Sequence, residues 1–189
     1  MERKVSYFKK TGRENTGTCL DIVRRAIDDY GYKHIVIAST TGETGLLFSR
    51  ALGDLSVNVV VVTHSSGYKE LNSMEMAYDI RKKIKSCGAK VFTGTMLTHS
   101  IETAFARQFG GQYPTLIVAN TLRRFCEGAK VCCEIVMMAA DAGLVPEGDE
   151  VLAVAGTARG ADTVMVLKAA ASKRFLDLRV LEVLAKPRV

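Results

Sequence analysis

Two runs of branched aliphatic residues, His34-Ile-Val-Ile-Ala38 and Val57-Asn-Val-Val-Val-Val-Thr63, restrict this chain more than any other feature. Neither alternates apolar with polar. Each therefore predicts a strand covered on both faces, which is the pattern of a parallel sheet. Parallel strands need crossovers, and the surrounding sequence supplies helices for them. From Asn15 or Thr16, the residues Leu20, Val23, Ile27 and Tyr30 recur at three- and four-residue steps, and Gly31 is placed to end that helix. Residues 45–52 predict a short helix. Residues 74–87 predict an amphipathic one, with Met74, Ala77, Ile80, Ile84 and Cys87 inward. Lys90-Val-Phe-Thr93 follows as a third strand. Helix alternating with strand in this way is the signature of βαβ units and an α/β domain.

The second half of the chain continues the theme. A helix is predicted over residues 101–109, interrupted by Gly110, Gly111 and Pro114, and a long helical region over 115–142, broken near Gly128. Residues 131–144 are apolar nearly all round, which predicts burial in the core or in a subunit interface. A homo-oligomer is expected on that ground. Further strands are predicted at 150–155, 164–167 and 179–184. The chain has 189 residues, 48% of them hydrophobic, and contains no linker-like stretch, so a single domain over 1–189 is expected.

The formal net charge is +6, but the basic residues are scattered among acids on predicted helix faces. No basic stripe interleaved with aromatics appears, so nucleic acid is not an expected partner. The five cysteines include no CxxC pair, and adjacent Cys132 and Cys133 point to different sides of a helix. Free buried thiols in a reducing compartment are expected, with no metal site. The first residues lack the apolar core of a signal peptide, and no run is long enough to span a bilayer. The expected location is the cytoplasm, with no membrane partner.

Ligands of such sheets bind beyond the carboxyl ends of the strands. The loops that follow strands here, 39–44, 63–68, 94–99 and 156–163, are all rich in Ser, Thr, Gly and His. The first offers the hydroxyls of Ser39, Thr40, Thr41 and Thr44. Gly42 permits close backbone approach, and a helix N-terminus follows. Several donors converging at a small radius suit a phosphate. A Thr-rich helix cap is the competing explanation. No Gly-Lys-Ser/Thr follows, so this is not a nucleoside triphosphate loop. Glu43 repels an anion unless it faces outward, pairs with a cation or binds a sugar or ribityl hydroxyl. In the last loop, Gly156, Thr157, Arg159, Gly160, Asp162 and Thr163 are candidate ligand-binding residues. Arg159 can grip a phosphate or carboxylate with a two-pronged fork. Asp162 and Thr163 can hold hydroxyls, or Asp162 can fix Arg159. His64 and His99 follow strands and are candidate acid–base groups or loop hydrogen-bonders. No Ser-His-Asp order is present.

The stretch from Ala38-Ser-Thr-Thr-Gly-Glu-Thr44 to the Val-rich strand, together with Glu147-Gly-Asp-Glu-Val-Leu-Ala-Val-Ala-Gly-Thr-Ala-Arg-Gly160, resembles the C-terminal domain of pyruvate kinase. Glu14-Asn-Thr16, Phe109-Gly-Gly-Gln-Tyr-Pro114, Ala139-Ala-Asp-Ala-Gly-Leu144 and Gly156 to Thr163 resemble more specifically a group of stand-alone, mostly archaeal proteins with that domain's fold. The resemblance implies a three-layer α/β/α domain with a five-stranded, mostly parallel core sheet. It implies phosphate-binding roles for Ser39, Thr41, Gly42 and Thr44, and for Arg159 and Gly160 on the second loop. Pyruvate kinase commonly has a basic residue where Glu43 stands, and its catalytic barrel has no counterpart here, so its phosphotransfer is not implied. Met96 stands where relatives are expected to carry a histidine. The stand-alone group is compatible with flavin mononucleotide (FMN), whose single phosphate and neutral ribityl chain tolerate Glu43. The expectation is thus a binding protein for a phosphorylated small molecule, FMN first. The alternatives are an enzyme acting on a phosphorylated metabolite or through bound flavin, and a regulatory or oligomerisation module.

Overall fold

His34–Ala38 (β2) lies inside a seven-stranded sheet, parallel to Asn58–Val62 (β3) on one side and to Glu150–Ala155 (β5) on the other. The computed structural model describes residue 2 and residues 4–188. Lys90–Phe92 (β4) extends the parallel set beyond β3. Beyond β5, Thr163–Lys168 (β6) and Arg179–Pro187 (β7) are added antiparallel, and Ser6–Phe8 (β1) closes that edge parallel to β7. The order is β1-β7-β6-β5-β2-β3-β4. The sheet is mostly parallel as expected, but it has seven strands where the resemblance implied five. The strand missed by periodicity is β1, whose three residues are too few to show an alternation.

Both faces of the strands are covered, which explains why they are apolar throughout. Ile35, Ile37, Val59, Val61, Leu152 and Val154 point to one face, where Thr16–Tyr30 (α1), Glu43–Leu52 (α2) and Tyr78–Ser86 (α3) supply Cys19, Val23, Phe48, Leu52 and Ile84. Val36, Val60, Val62 and Ala153 point to the other, against Glu127–Asp141 (α6). Pro114–Leu122 (α5) packs on α6, and Ile101–Phe109 (α4) on α5. Each fully buried Val, Leu or Ile contributes roughly 1.5–3 kcal/mol of burial free energy, so these two aliphatic layers substitute for the missing tryptophans.

The apolar helix expected over 131–144 is α6, and its apolar surface is covered by the sheet of its own chain. The helical break lies at residues 123–126 rather than at Gly128. Cys126 is fully extended there, with φ 178°. Gly128 sits inside α6 because β6 comes so close that a Cβ would stand 2.1 Å from Thr163 Oγ1. The predicted helix at 74–87 starts only at Tyr78. Met74 is exposed and Met76 is buried in its place. All five cysteines are free. Burial, with Asp162 nearby, pushes the Cys19 thiol up to about 12, and burial pushes Cys133 to about 12. Such thiols stay protonated and unreactive. Among the described residues, no helix is long and apolar enough to cross a membrane.

Candidate functional site

A cleft of about 390 Å³ opens where β2, β3 and β5 end. Loops 39–44, 63–64 and 156–160 line it from the sheet edge, and α6 lines it from the side. The position is the one that strand direction in an α/β sheet dictates.

The first loop is shaped by two local devices. Gly42 adopts φ 94°, and a Cβ there would stand 2.4 Å from Ile80 Cγ2, so glycine is required by α3 behind the loop. Ser39 Oγ accepts the Gly45 N–H at 2.9 Å and caps α2, while Gly42 O accepts the Leu46 N–H at 2.8 Å. Between these two bonds, the N–H groups of residues 40–44 have no protein acceptor among the described residues. They sit at the positive end of α2, an arrangement that favours an anion. Thr40, Thr41 and Thr44 line the cleft, whereas Gly42 does not. Glu43 also lines the cleft, and its surface ion pair with Arg13 at 3.4 Å partly offsets its charge.

The last loop is held from beneath. Asp162 is fully buried. Its Oδ2 accepts the Gly12 N–H at 2.7 Å and the Thr157 N–H at 3.0 Å, and its Oδ1 accepts the Thr163 hydroxyl at 2.8 Å. Thr16 Oγ1 accepts the Ala161 N–H at 3.0 Å and donates to Arg13 O at 2.8 Å. Asp162 and Thr163 thus face the protein and brace the loop, with Thr157 tied to them by its backbone. Gly156, Arg159 and Gly160 line the cleft, together with Ala158 at φ 61°. Gly160 (φ 74°) is pressed against Arg13, whose Cα would lie 2.5 Å from a Cβ. The Arg159 guanidinium has no protein partner among the described residues.

Both candidate histidines reach the cleft. His64 Nε2 lies 3.2 Å from Thr40 Oγ1, and its Nδ1 lies 2.7 Å from Glu75 Oε2. Lys69 holds the other Glu75 oxygen at 2.9 Å. Burial opposes the Glu75 charge, but the hydrogen bonds from Lys69 and His64 outweigh it and hold its pKa below the ordinary carboxylate value. The ring of Tyr68 packs 4.3 Å from that of His64 and 6.0 Å from that of His99. His99 Nδ1 lies 3.1 Å from Thr98 Oγ1. Burial, then the Lys130 charge, keeps the His99 pKa below its ordinary value against the pull of Glu134.

Lys130 and Glu134 are 2% and 3% exposed, form an ion pair, and line the cleft from α6. Glu134 Oε1 also accepts the Thr98 N–H at 2.8 Å and the Thr98 hydroxyl at 2.7 Å. These two charges are visible in the sequence as the break in an otherwise apolar helix, four residues apart. Tyr68 and Lys69 carry no such signal, because they lie in an aperiodic loop, and Glu75 falls in the first turn of the predicted 74–87 helix, which the structure starts only at Tyr78.

A family model described as "Pyruvate kinase, alpha/beta domain" matches residues 18–167. The chain belongs to that family. The chain is similar to a solved pyruvate kinase from Cryptosporidium parvum at 16% identity and TM-score 0.43, covering 82% of this chain and 23% of that one. It is also similar to a hydrogen sulfide-producing enzyme from Fusobacterium nucleatum, at 21% identity and TM-score 0.32 over 51% of this chain and 28% of that one. An O-ureido-L-serine synthase matches at 15% identity and TM-score 0.33, over 69% of this chain and 48% of that one. The domain therefore spans about a quarter of the pyruvate kinase it matches.

Proposed function

We propose that this protein binds a phosphorylated small molecule in the cleft, with FMN as the first candidate, and that it does so in the cytoplasm. The observation that carries this is the run of N–H groups from 40 to 44 without protein acceptors at the start of α2. Unpaired backbone donors need a partner, and a phosphate offers several acceptor oxygens at once. Arg159 adds a cation with no other engagement in the described protein. Glu43, the nearby carboxylate, is offset by Arg13. A cleft of about 390 Å³ falls in the size range of small-molecule pockets, roughly 300–1,000 Å³. Tyr68, Met96, Ile135 and Met138 add flat or apolar walls that suit a ring system. Mass spectrometry of the native purified protein, followed by titration calorimetry with FMN and inorganic phosphate, tests the proposal. Absence of heat from every phosphorylated compound in a panel of flavin, sugar and nucleoside phosphates rejects it.

The Thr40–His64–Glu75 relay favours a second reading, an enzyme that acts on a phosphorylated metabolite or through bound flavin. In it, His64 moves a proton beside the phosphate loop. A homo-oligomer is a separate proposal, supported by exposed Ile101, Phe105, Phe109 and Ile117 on α4 and α5. A monomeric mass by light scattering removes it.

A further inference from the structure

We propose that Lys130 and His99 form a second subsite, which takes the edge of a planar heterocycle carrying a lactam or imide, a ring carbonyl beside a ring N–H. The proposal deepens the small-molecule reading above and rests on it.

The first support is the presence of a buried ion pair in α6 at all. Taking two charges out of water costs several kcal/mol per ion, and apolar residues of similar size build such a helix at lower cost. A charged pair kept at the wall of a cleft makes that wall a functional-site candidate.

The second support is proton counting. The Lys130 ammonium carries three N–H donors. Glu134 is its one acceptor among the described residues, so donors remain for the cleft. Glu134 is itself held by three donors: Oε2 faces Lys130, and Oε1 takes both the N–H and the hydroxyl of Thr98. The carboxylate thus orients the ammonium and leaves the ligand to it. Thr98 has one hydroxyl proton, and Glu134 receives it. The Thr98 oxygen then accepts from Nδ1–H of His99. In the neutral ring this leaves Nε2 as a bare acceptor, and Nε2 has no protein partner among the described residues. Burial, together with the Lys130 and Arg123 charges, favours that neutral ring.

Lys130 and His99 both line the cleft and are linked through Glu134 and Thr98, so one wall offers a donor and an acceptor, the complement of a C=O and an N–H on one ring edge. A carboxylate or second phosphate satisfies Lys130 but opposes the lone pair of His99, so the pair selects a neutral lactam edge over an anion. Tyr68, Met96 and Ile135 line the same cleft and offer the aromatic and apolar surface that a flat ring packs on.

Titration calorimetry with FMN, riboflavin, their N3-methyl analogues, uridine and inosine monophosphates, glycerol phosphate and inorganic phosphate tests this. At least one lactam-bearing phosphate binds about tenfold or more tightly than glycerol phosphate, as one or two added hydrogen bonds require. Blocking the ring N–H by methylation removes most of that gain. His99→Phe, a half-buried site whose fold is checked by melting temperature, abolishes the discrimination and leaves inorganic phosphate binding unchanged. Lys130→Met combined with Glu134→Met, which removes both charges together, has the same effect. If phosphate binds but no lactam ring adds affinity, or if N3-methyl analogues bind like their parents, the subsite is wrong and the phosphate loop stands. If inorganic phosphate fails while riboflavin binds with N3 discrimination, the subsite stands and the phosphate reading falls. If nothing binds, both fall.

Discussion

His64 Nε2 lies 3.2 Å from the hydroxyl of Thr40, a residue of the same loop that carries the unpaired N–H groups. With the Glu75 carboxylate accepting at Nδ1, that nitrogen donates and Nε2 is turned to Thr40. On the proposed reading the loop and Arg159, not His64, hold the anion, so His64→Ala is expected to bind phosphorylated ligand within about threefold of wild type, while any turnover falls by about 10²–10⁴, the range for loss of a general acid or base. Single-turnover kinetics beside calorimetry separates the two effects. A variant that retains full turnover takes His64 out of the chemistry.

Arg159 and the loop hydroxyls are expected to act in series on phosphate affinity. Thr41→Ala and Thr44→Ala each remove one donor, worth about 1 kcal/mol or roughly fivefold in Kd. Arg159→Met should cost more than Arg159→Lys, since lysine keeps the charge but loses the planar fork. Affinity that is indifferent to all three positions places the ligand elsewhere.

Gly128→Ala sets helix propensity against packing. In an ordinary helix interior this change stabilises by about 1 kcal/mol. Here the new Cβ would meet Thr163 Oγ1 at 2.1 Å and Thr163 Cβ at 2.4 Å, and Thr163 is buried on β6. Overpacking of that kind costs about 1–3 kcal/mol or more, so urea unfolding should show a lower midpoint. A raised midpoint would falsify the close contact of α6 with β6.

Glu134 gives acid stability a defined source. Burial works against its charge, but Lys130 and the Thr98 hydrogen bonds lower its folded pKa below the ordinary value of 4.5. A depressed carboxylate contributes stability that is complete above its unfolded pKa and is lost as pH falls through the folded one. The melting temperature should therefore decline as the pH is taken from neutral to below 4.5. In Glu134→Gln that part of the slope should be absent, from a lower starting stability. Parallel pH–melting curves for the two proteins would show no role for the pair.

The parallel core was legible because β2 and β3 are apolar at nearly every position, a pattern that only two-sided burial demands. The donor-rich turn after β2 was legible for a related reason: N–H groups at a strand-to-helix turn are fixed by chain geometry more than by side chains. Asp162 was harder. It stands three residues from Arg159, which invites a pairing between them, yet one of its partners is Gly12, 150 residues away. Local sequence carries no trace of such a contact. Glu75 was hidden likewise, because its partner His64 sits across an irregular loop with no period to place it. Lys130 and Glu134 were in plain view as charges in an apolar helix, and only the three-dimensional position of α6 beside the cleft gives them a use.

The brace under the last loop bears on what counts as a unit of this protein. The family match runs from 18 to 167, whereas the groups that hold Asp162 and Ala161 from the N-terminal side are Gly12 and Thr16. β7 and β1, which cover the outer edge of β6, lie outside it as well. A piece trimmed to the matched span would leave a buried carboxylate short of a donor and a bare strand edge open to other chains. The matched segment is therefore shorter than the set of residues that braces the last loop and covers β6, and Gly12, Thr16, β1 and β7 supply what it lacks.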